Sequence, residues 1–163
     1  MMLLRAGLLA ATALLGACAT PPPIDATGVD GRLDPSTAVA GFPGNRGVAV
    51  VWAGVIVSAQ NLASATRMEV LGYPLDGAQR PRSRRTSHGR FMVMVEGYLE
   101  TATYRPGRRV TVRGTVVDVL DARVGEAPYR YPVVAAQRLH LWPDDPGAYP
   151  PRVHFGLGVV IGN

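Results

Sequence analysis

A dense group of arginines lies in the middle of the chain, in the stretch RPRSRRTSHGR at 80–90. The stretch also contains His88 and has no acidic residue. Guanidinium groups bind phosphates and carboxylates through paired hydrogen bonds, so an exposed loop of this composition is suited to an anionic ligand. The alternative is a solvated hairpin loop whose charge keeps the protein soluble. The candidate anion-binding residues are Arg80, Arg82, Arg84, Arg85 and Arg90.

The one cysteine of the chain, Cys18, follows an apolar run and precedes three prolines. Arg5 is the only charged residue before Asp25, and the twelve residues after Arg5, AGLLAATALLGA, are small or apolar. A helix of that length spans about 18 Å against a bilayer core of about 30 Å, so the segment is too short for a stable span. This pattern predicts a signal peptide at 1–17.

The end of that segment, Leu15-Gly16-Ala17-Cys18, is similar to the bacterial lipobox. The similarity implies cleavage before Cys18, a thioether-linked diacylglycerol on its sulfur and usually a third acyl chain, such as palmitate, on the new amine. Two or three long acyl chains attach a protein to membrane lipid effectively permanently, whereas one chain binds only marginally. Because Ala19 is not the aspartate that signals retention in the inner membrane, the predicted location is the outer membrane.

Other residues with catalytic or metal-binding chemistry do not form a recognisable constellation. His88, His140 and His154 lie on separate segments without ligand-type neighbours at metal spacing, so no metal site is expected. Asp144 and Asp145 are adjacent in a proline-rich loop, which does not provide two carboxylates converging on a cleft. The chain has no Gly-x-Ser-x-Gly elbow. The sequence therefore predicts no enzyme and no cofactor.

The composition is that of one globular domain with a moderate positive charge. The chain has 163 residues, with 17 basic residues, all arginine, against 12 acidic ones, for a net charge of +5. This balance permits an anionic partner without requiring one. Nucleic acid is not expected as that partner, because Tyr-Arg-Tyr-Pro at 129–132 is more typical of packing than of a base-stacking platform.

Strand patterns begin after a polar, proline-rich segment. Residues 18–44 are predicted to be the lipidated N-terminus and a flexible tether, with one helical turn at 34–41 that begins with Asp34 as N-cap and Pro35 at the first position. Five strands are then expected, with a bend or bulge at Gly54 in the first. Their ranges are 48–57, 65–73, 89–96, 107–120 and 131–142.

The fourth predicted strand has the clearest alternation. It places Val110, Val112 and Val116 inward and Thr111 outward, and the alternation then changes phase. This change predicts a bulge near residues 114–117.

The order of the predicted elements favours a mainly β fold. The segment GYLETATYRPG at 97–107, between the third and fourth strands, is long enough for one or two helical turns. Five strands with such a short helical connection match an OB-like antiparallel barrel over 45–143, with an open antiparallel sandwich as the alternative. A Pro/Gly-rich tail at 144–163 ends in a predicted strand at 153–162, which has one apolar face.

Several local patterns together resemble the Slp family, the starvation-inducible outer-membrane lipoproteins of Gram-negative bacteria. The patterns are WAGVIVSAQNLASATRMEVLGYPLD, GRF, GYLETATYRPGRRVTVRGTV and VGEAPYRYPVVAAQRLHLWP, which occur in the family's order between residues 34 and 143. The resemblance implies an outer-membrane protein associated with starvation or stationary-phase stress. It implies no catalytic mechanism, and the only functional residue that it transfers is Cys18.

Two functional hypotheses follow. The first is a non-enzymatic, lipid-anchored barrel that faces the periplasm and contributes to envelope integrity under stress, with lipid A, peptidoglycan or other envelope proteins as candidate partners. The second is a binding module that holds an anionic glycan or lipid through the arginine-rich stretch. An enzyme ranks third, since it would need a pocket that gathers polar groups from several strands.

Overall fold

The computed structural model describes residues 21–144, which form five strands and one short helix. The strands close into a barrel in the order β1-β2-β3-β5-β4, in which only β3 and β5 pair in parallel. This is the strand order of an OB-type barrel. The predicted fold class is confirmed, and the sheet does not form the open sandwich. The elements are α1 (Pro35–Gly41), β1 (Ala49–Asn61), β2 (Ala65–Tyr73), β3 (Arg90–Glu96), β4 (Arg109–Val124) and β5 (Ala127–Leu141).

Alternating side chains fill the barrel. Val110, Val112 and Val116 of β4 are at most 1% exposed, as their inward prediction requires. They pack with the ring of Phe91, which meets the Trp52 ring edge to face at 5.2 Å between centroids. Burial of each such side chain contributes about 1.5–3 kcal/mol, so this core is the main source of stability.

The pairings of β1 with β2 and of β4 with β5 contain irregularities that help the sheet to close. The β4–β5 register shifts between Arg113 and Gly114 and again between Val116 and Asp118, which confirms the predicted bulge. In β1 the shift falls between Ile56 and Ser58, beyond Gly54. Gly54 itself provides a close backbone approach.

The helix forms where its capping residues predict. The Asp34 carboxylate accepts a hydrogen bond from the Thr37 backbone N–H at 2.8 Å, and the Thr37 hydroxyl accepts one from the Asp34 N–H at 3.0 Å. This reciprocal capping box, with Pro35 in the first turn, fixes the start of α1. Ala38 is fully buried, so α1 packs its apolar side against the ends of β3 and β5.

The connection between β3 and β4 is at the short end of the one or two helical turns that its length allows. It makes one turn, in which the Tyr104 N–H donates to the Glu100 carbonyl at 3.1 Å. Pro106 then lacks an N–H, and Gly107 takes a φ of +88°, so the chain turns into β4 instead of continuing as a helix. Among residues 21–144, α1 is the one helix, and it precedes the first strand of the barrel.

The segment that precedes α1 differs from expectation. The sequence predicts a flexible tether over 18–44, yet residues 24–33, here called the N-terminal strap, lie against the outside of the barrel. Ile24 is only 4% exposed. Its N–H donates to Gln79 Oε1 at 3.1 Å, and Gln79 Nε2 donates back to the Ile24 carbonyl at 2.8 Å.

Further contacts hold the strap along β1 and β4. Arg113 Nη2 donates to the Thr27 carbonyl at 3.1 Å, and the Asp30 N–H donates to the Ala49 carbonyl at 2.9 Å. The Trp52 indole N–H donates to the Leu33 carbonyl at 2.7 Å. Two side chains and one backbone carbonyl of the barrel thus form hydrogen bonds with backbone groups of the strap. The tether within the described region therefore ends near Ile24.

The β4–β5 hairpin is longer than its predicted strands and projects beyond the barrel. Its strands continue to Val124 and start again at Ala127, where Gly125 supplies a φ of +59° for the turn. The predicted signal peptide, Cys18, and the terminal strand at 153–162 lie outside the described residues.

Candidate functional site

The loop that joins β2 to β3, residues 74–89, contains most of the arginine-rich stretch and is here called the arginine loop. Its first half is held by Asp76, whose carboxylate accepts hydrogen bonds from the N–H groups of Ala78 at 2.9 Å and Arg80 at 2.8 Å. The Arg82 N–H donates to the Pro74 carbonyl at 2.8 Å. Asp76 therefore shapes the loop backbone, and it makes no ion pair with an arginine of the loop in the described structure.

Two of the five predicted anion-binding arginines have structural partners instead. The Arg80 guanidinium stacks on the Trp142 ring, 4.7 Å from its centroid. Arg90, with its side chain 27% exposed, forms an ion pair with Glu69. Both are half-buried parts of the barrel surface. Arg80 and Arg90 are thus less available to a ligand than the other three predicted residues, and anion binding by any of the five stays a prediction.

The other three predicted residues, Arg82, Arg84 and Arg85, are exposed. Within residues 21–144, their side chains take part in no hydrogen bond or ion pair. Three adjacent guanidinium groups without acidic partners create a local positive potential. The structure thus reduces the candidate anion-binding surface to these three side chains.

Arg90 belongs to a polar network that the sequence did not reveal. The Glu69 carboxylate accepts hydrogen bonds from Arg90 and, at 3.0 Å, from the Tyr131 hydroxyl. The Tyr129 hydroxyl accepts the Arg90 backbone N–H at 2.7 Å. Tyr131 is 1% exposed, and burial together with its hydrogen bond to Glu69 raises its pKa to about 12. The two tyrosines thus join β5 to β2 and β3.

A cleft of about 410 Å³ lies between the strap and the barrel. Its lining includes the apolar residues Val29, Leu33 and Trp52 and the polar residues Asp34 and His88. Burial alone would raise the pKa of Asp34, but hydrogen bonds from Thr37 and Ser36 outweigh this effect, so the pKa lies below its ordinary value. This carboxylate caps α1, so it accepts its hydrogen bonds from groups of the helix.

The remaining predicted residues lie apart from the arginine loop's exposed side chains. Asp144 pairs with Arg105 at 3.0 Å and with Arg108 at 2.9 Å. His140 packs edge to face against Trp142 at 4.3 Å between ring centroids. His154 and Asp145 fall outside the described residues. In the region from 21 to 144, no three potential ligands cluster in a way that would hold a metal ion.

No helix within the described part of the chain has the length and apolarity needed to cross a membrane. Fold and surface together define a small β-barrel domain with a docked N-terminal strap and an exposed arginine loop.

The chain matches the model of the outer membrane lipoprotein Slp family over residues 15–156, and it belongs to that family. This match confirms the resemblance found in the sequence and extends it to the Leu15–Cys18 motif.

Curated relatives agree with this assignment. The chain is 34% identical over 89 residues to "Uncharacterized lipoprotein YeaY" of Escherichia coli, covering 55% of this chain and 46% of that protein. It is 33% identical over 90 residues to an uncharacterized protein of Haemophilus influenzae, covering 55% and 49%. It is 26% identical over 89 residues to "Outer membrane protein Slp" of Escherichia coli, covering 55% and 47%. The aligned part thus spans about half the length of these relatives. No solved structure matches the chain significantly.

Proposed function

We propose that this protein is a non-enzymatic lipoprotein of the outer membrane that contributes to envelope integrity under starvation or stationary-phase stress. Acyl chains on Cys18 hold it in the inner leaflet, and the barrel faces the periplasm. The observation that carries the proposal is the family match, which begins at residue 15 and so includes the lipobox-like motif. The names of two relatives, a lipoprotein and an outer membrane protein, support the same location.

The non-enzymatic part of the proposal is supported by the structural roles of four carboxylates in the described region. Asp34 caps α1 and Asp76 shapes the arginine loop. Glu69 and Asp144 are held by arginines. A general acid or base needs a carboxylate that faces a substrate cleft with a tuned proton affinity, and these four groups are already committed to structural contacts.

Metabolic labelling with a fatty acid, followed by membrane fractionation, tests the anchor. The wild-type protein is expected in the outer-membrane fraction with label attached, and Cys18→Ser is expected to be unlabelled and released from the membrane. Ala19→Asp is a matched control that keeps the thiol and is expected to keep the label while changing the membrane. A Cys18→Ser protein that stays labelled would refute acylation at this position.

The stress role is tested in a deletion strain of the source bacterium. Outer-membrane permeability to a hydrophobic dye should rise in stationary phase and change little during growth. Expression of the wild-type protein should restore the barrier, while expression of Cys18→Ser should not. Equal permeability of the deletion and parent strains under starvation would count against the role.

The arginine loop supports a second candidate function, the binding of an anionic glycan or lipid. The specific observation is that Arg82, Arg84 and Arg85 are exposed and lack acidic partners in the described structure. Charge reversal at these three positions should abolish salt-sensitive binding to peptidoglycan or anionic vesicles. Unchanged binding would leave only the first function.

A further inference from the structure

We propose that the arginine loop is the membrane-facing surface of the barrel, where Arg82, Arg84 and Arg85 contact the phosphates of anionic phospholipids in the leaflet that holds the anchor. This inference rests on the proposed acylation of Cys18. It adds an orientation and a ligand: the loop end points at the headgroups, and the opposite end of the barrel points into the periplasm.

The docked strap brings the anchor close to the barrel. Ile24 is 4% exposed and is held at both its N–H and its carbonyl by Gln79. Cys18 precedes Ile24 by six residues, which reach at most about 21 Å when fully extended. The point at which the strap meets the barrel is therefore close to the lipid headgroups.

That point lies on the arginine loop itself. Gln79 precedes Arg82 by three residues, and the Arg82 N–H donates to the Pro74 carbonyl at the start of the loop. The tether thus leaves the barrel beside the three exposed guanidinium groups. The nine residues of β2 separate this end from the β1–β2 loop, which corresponds to about 27 Å.

The two ends of the barrel differ in charge. At the far end, Glu96 and Glu100 are exposed. The β4–β5 hairpin projects at the near end, but there Arg130 is paired with Asp121. An anionic surface therefore attracts the arginine loop. If the far end came within a Debye length of that surface, about 8 Å, the surface would repel it.

Position-specific quenching in vesicles tests the orientation. The acylated protein is prepared with a fluorophore on Ser83→Cys in the arginine loop or on Ser64→Cys in the β1–β2 loop, both at exposed positions. Acylated Cys18 is a thioether and takes no label. The vesicles contain phosphatidylglycerol, phosphatidylethanolamine and a lipid with a nitroxide on its headgroup. Strong quenching at 83 and weak quenching at 64 is expected. Equal quenching, or stronger quenching at 64, would overturn the proposal.

A matched pair of charge reversals tests the role of the arginines. Each arginine near an anionic surface contributes roughly a fivefold preference, so Arg84→Glu with Arg85→Glu should lower the ratio of loop-down to loop-away orientations by about 25-fold or more. Arg67→Glu with Arg105→Glu changes the net charge equally on other parts of the barrel and should leave quenching at 83 in place. Vesicles of phosphatidylcholine should reduce the preference for 83 to the part that the short tether alone provides. A similar loss in both double variants, or a preference of undiminished size on phosphatidylcholine, would refute recognition by the loop.

Failure of the proposal is distinguishable from failure of the anchor. Without acylation, the protein would not remain with vesicles of any lipid composition after a wash at high salt, which screens the attraction of the arginines. If it remains with the vesicles and both labels are quenched equally, the anchor is present and the orientation is wrong.

Discussion

At the scale of single residues, Asp34 gives a pH-dependent contribution to stability. Its pKa in the folded protein lies below the ordinary value of 3.8, because the hydrogen bonds to Thr37 and Ser36 outweigh the effect of burial. A lowered folded-state pKa stabilises the fold above the ordinary value, and this contribution is lost as the pH falls through the lowered pKa. Asp34→Ala should reduce the free energy of unfolding by about 1 kcal/mol at neutral pH.

Urea denaturation of Asp34→Ala and the wild type at neutral and acidic pH checks this prediction. The difference between them should shrink in acid as the wild-type carboxylate becomes protonated. Asp34→Asn, which keeps an oxygen acceptor for the cap, is the control and should cost less at neutral pH. A cost for Asp34→Ala that does not change with pH would contradict the role of the charge.

Tyr131 has the opposite pH dependence. Its pKa is raised from 10.0 to about 12 by burial and by the hydrogen bond to Glu69. Its contribution to stability is therefore fully present below pH 10 and is lost as the pH rises toward the folded pKa. Spectrophotometric titration of tyrosinate should show a component near pH 12 that disappears in Tyr131→Phe. Tyr98→Phe, at a side chain 76% exposed, should leave that component in place. A wild-type titration without it would contradict the assignment.

Thr111 illustrates what alternation alone misses. The alternation in β4 predicts that the Thr111 side chain points out of the barrel, and it does. The residue is nevertheless fully buried. Its hydroxyl donates to the Gln79 carbonyl at 2.7 Å and accepts from the Trp142 indole at 2.9 Å. Periodicity predicts a side of the sheet, whereas cover by a distant loop depends on tertiary structure.

At the scale of elements, Gly54 is required by close approach of β1 to β2. A Cβ at this position would lie 2.2 Å from the Leu71 carbonyl oxygen, and that backbone cannot move without breaking the strand pairing. Gly54→Ala should therefore destabilise the barrel by about 3 kcal/mol or more in urea denaturation. Gly77→Ala, in the arginine loop with open space around its Cβ, is the control and should be close to neutral. Equal effects of the two substitutions would contradict this account.

The strap depends on Gln79, which has a φ of +66° and is 8% exposed. Gln79→Gly keeps that backbone conformation accessible and removes the amide that pairs with Ile24. The strap should then open more often, and trypsin should cleave after the exposed Arg32 several-fold faster than in the wild type. Ala78→Gly adds similar backbone freedom and keeps the amide, so its cleavage should resemble that of the wild type. Slow cleavage in Gln79→Gly would mean that other contacts suffice to hold the strap.

The sequence predicts the strands well and the strap poorly for a physical reason. A strand repeats an alternation of inward and outward side chains. The alternation of Val110, Val112 and Val116 therefore predicts β4, and its change of phase predicts the bulge. The strap has one buried apolar side chain, Ile24, in a stretch of proline, glycine and polar residues. Its backbone partners come from Gln79 and Arg113, which are 55 and 86 residues from the groups they contact. No local pattern encodes such pairs.

At the scale of the whole molecule, closure of the barrel decides which arginines are exposed and where the arginine loop lies. Five strands with the predicted order gave the barrel, yet the five predicted arginines divide into two packed ones and three exposed ones. Composition identified a basic loop, but it does not distinguish an arginine paired with Glu69 from one that faces solvent. The location of the loop beside the strap likewise depends on barrel closure, which brings Gln79 next to Thr111 and Ile24.

The strap should act on the orientation of the whole protein by shortening its tether. Replacing residues 21–32 with a Gly/Ser linker of equal length lengthens the free tether from six residues, Cys18 to Ile24, to fifteen, Cys18 to Leu33. Because effective concentration falls roughly as the −3/2 power of tether length, the arginine loop's local concentration at the membrane should fall about fourfold. In vesicles, the difference in quenching between labels at 83 and 64 should narrow, while acylation and membrane fractionation stay unchanged. An unchanged far-UV circular dichroism spectrum controls for loss of the barrel, and an undiminished difference would show that the strap does not set the orientation.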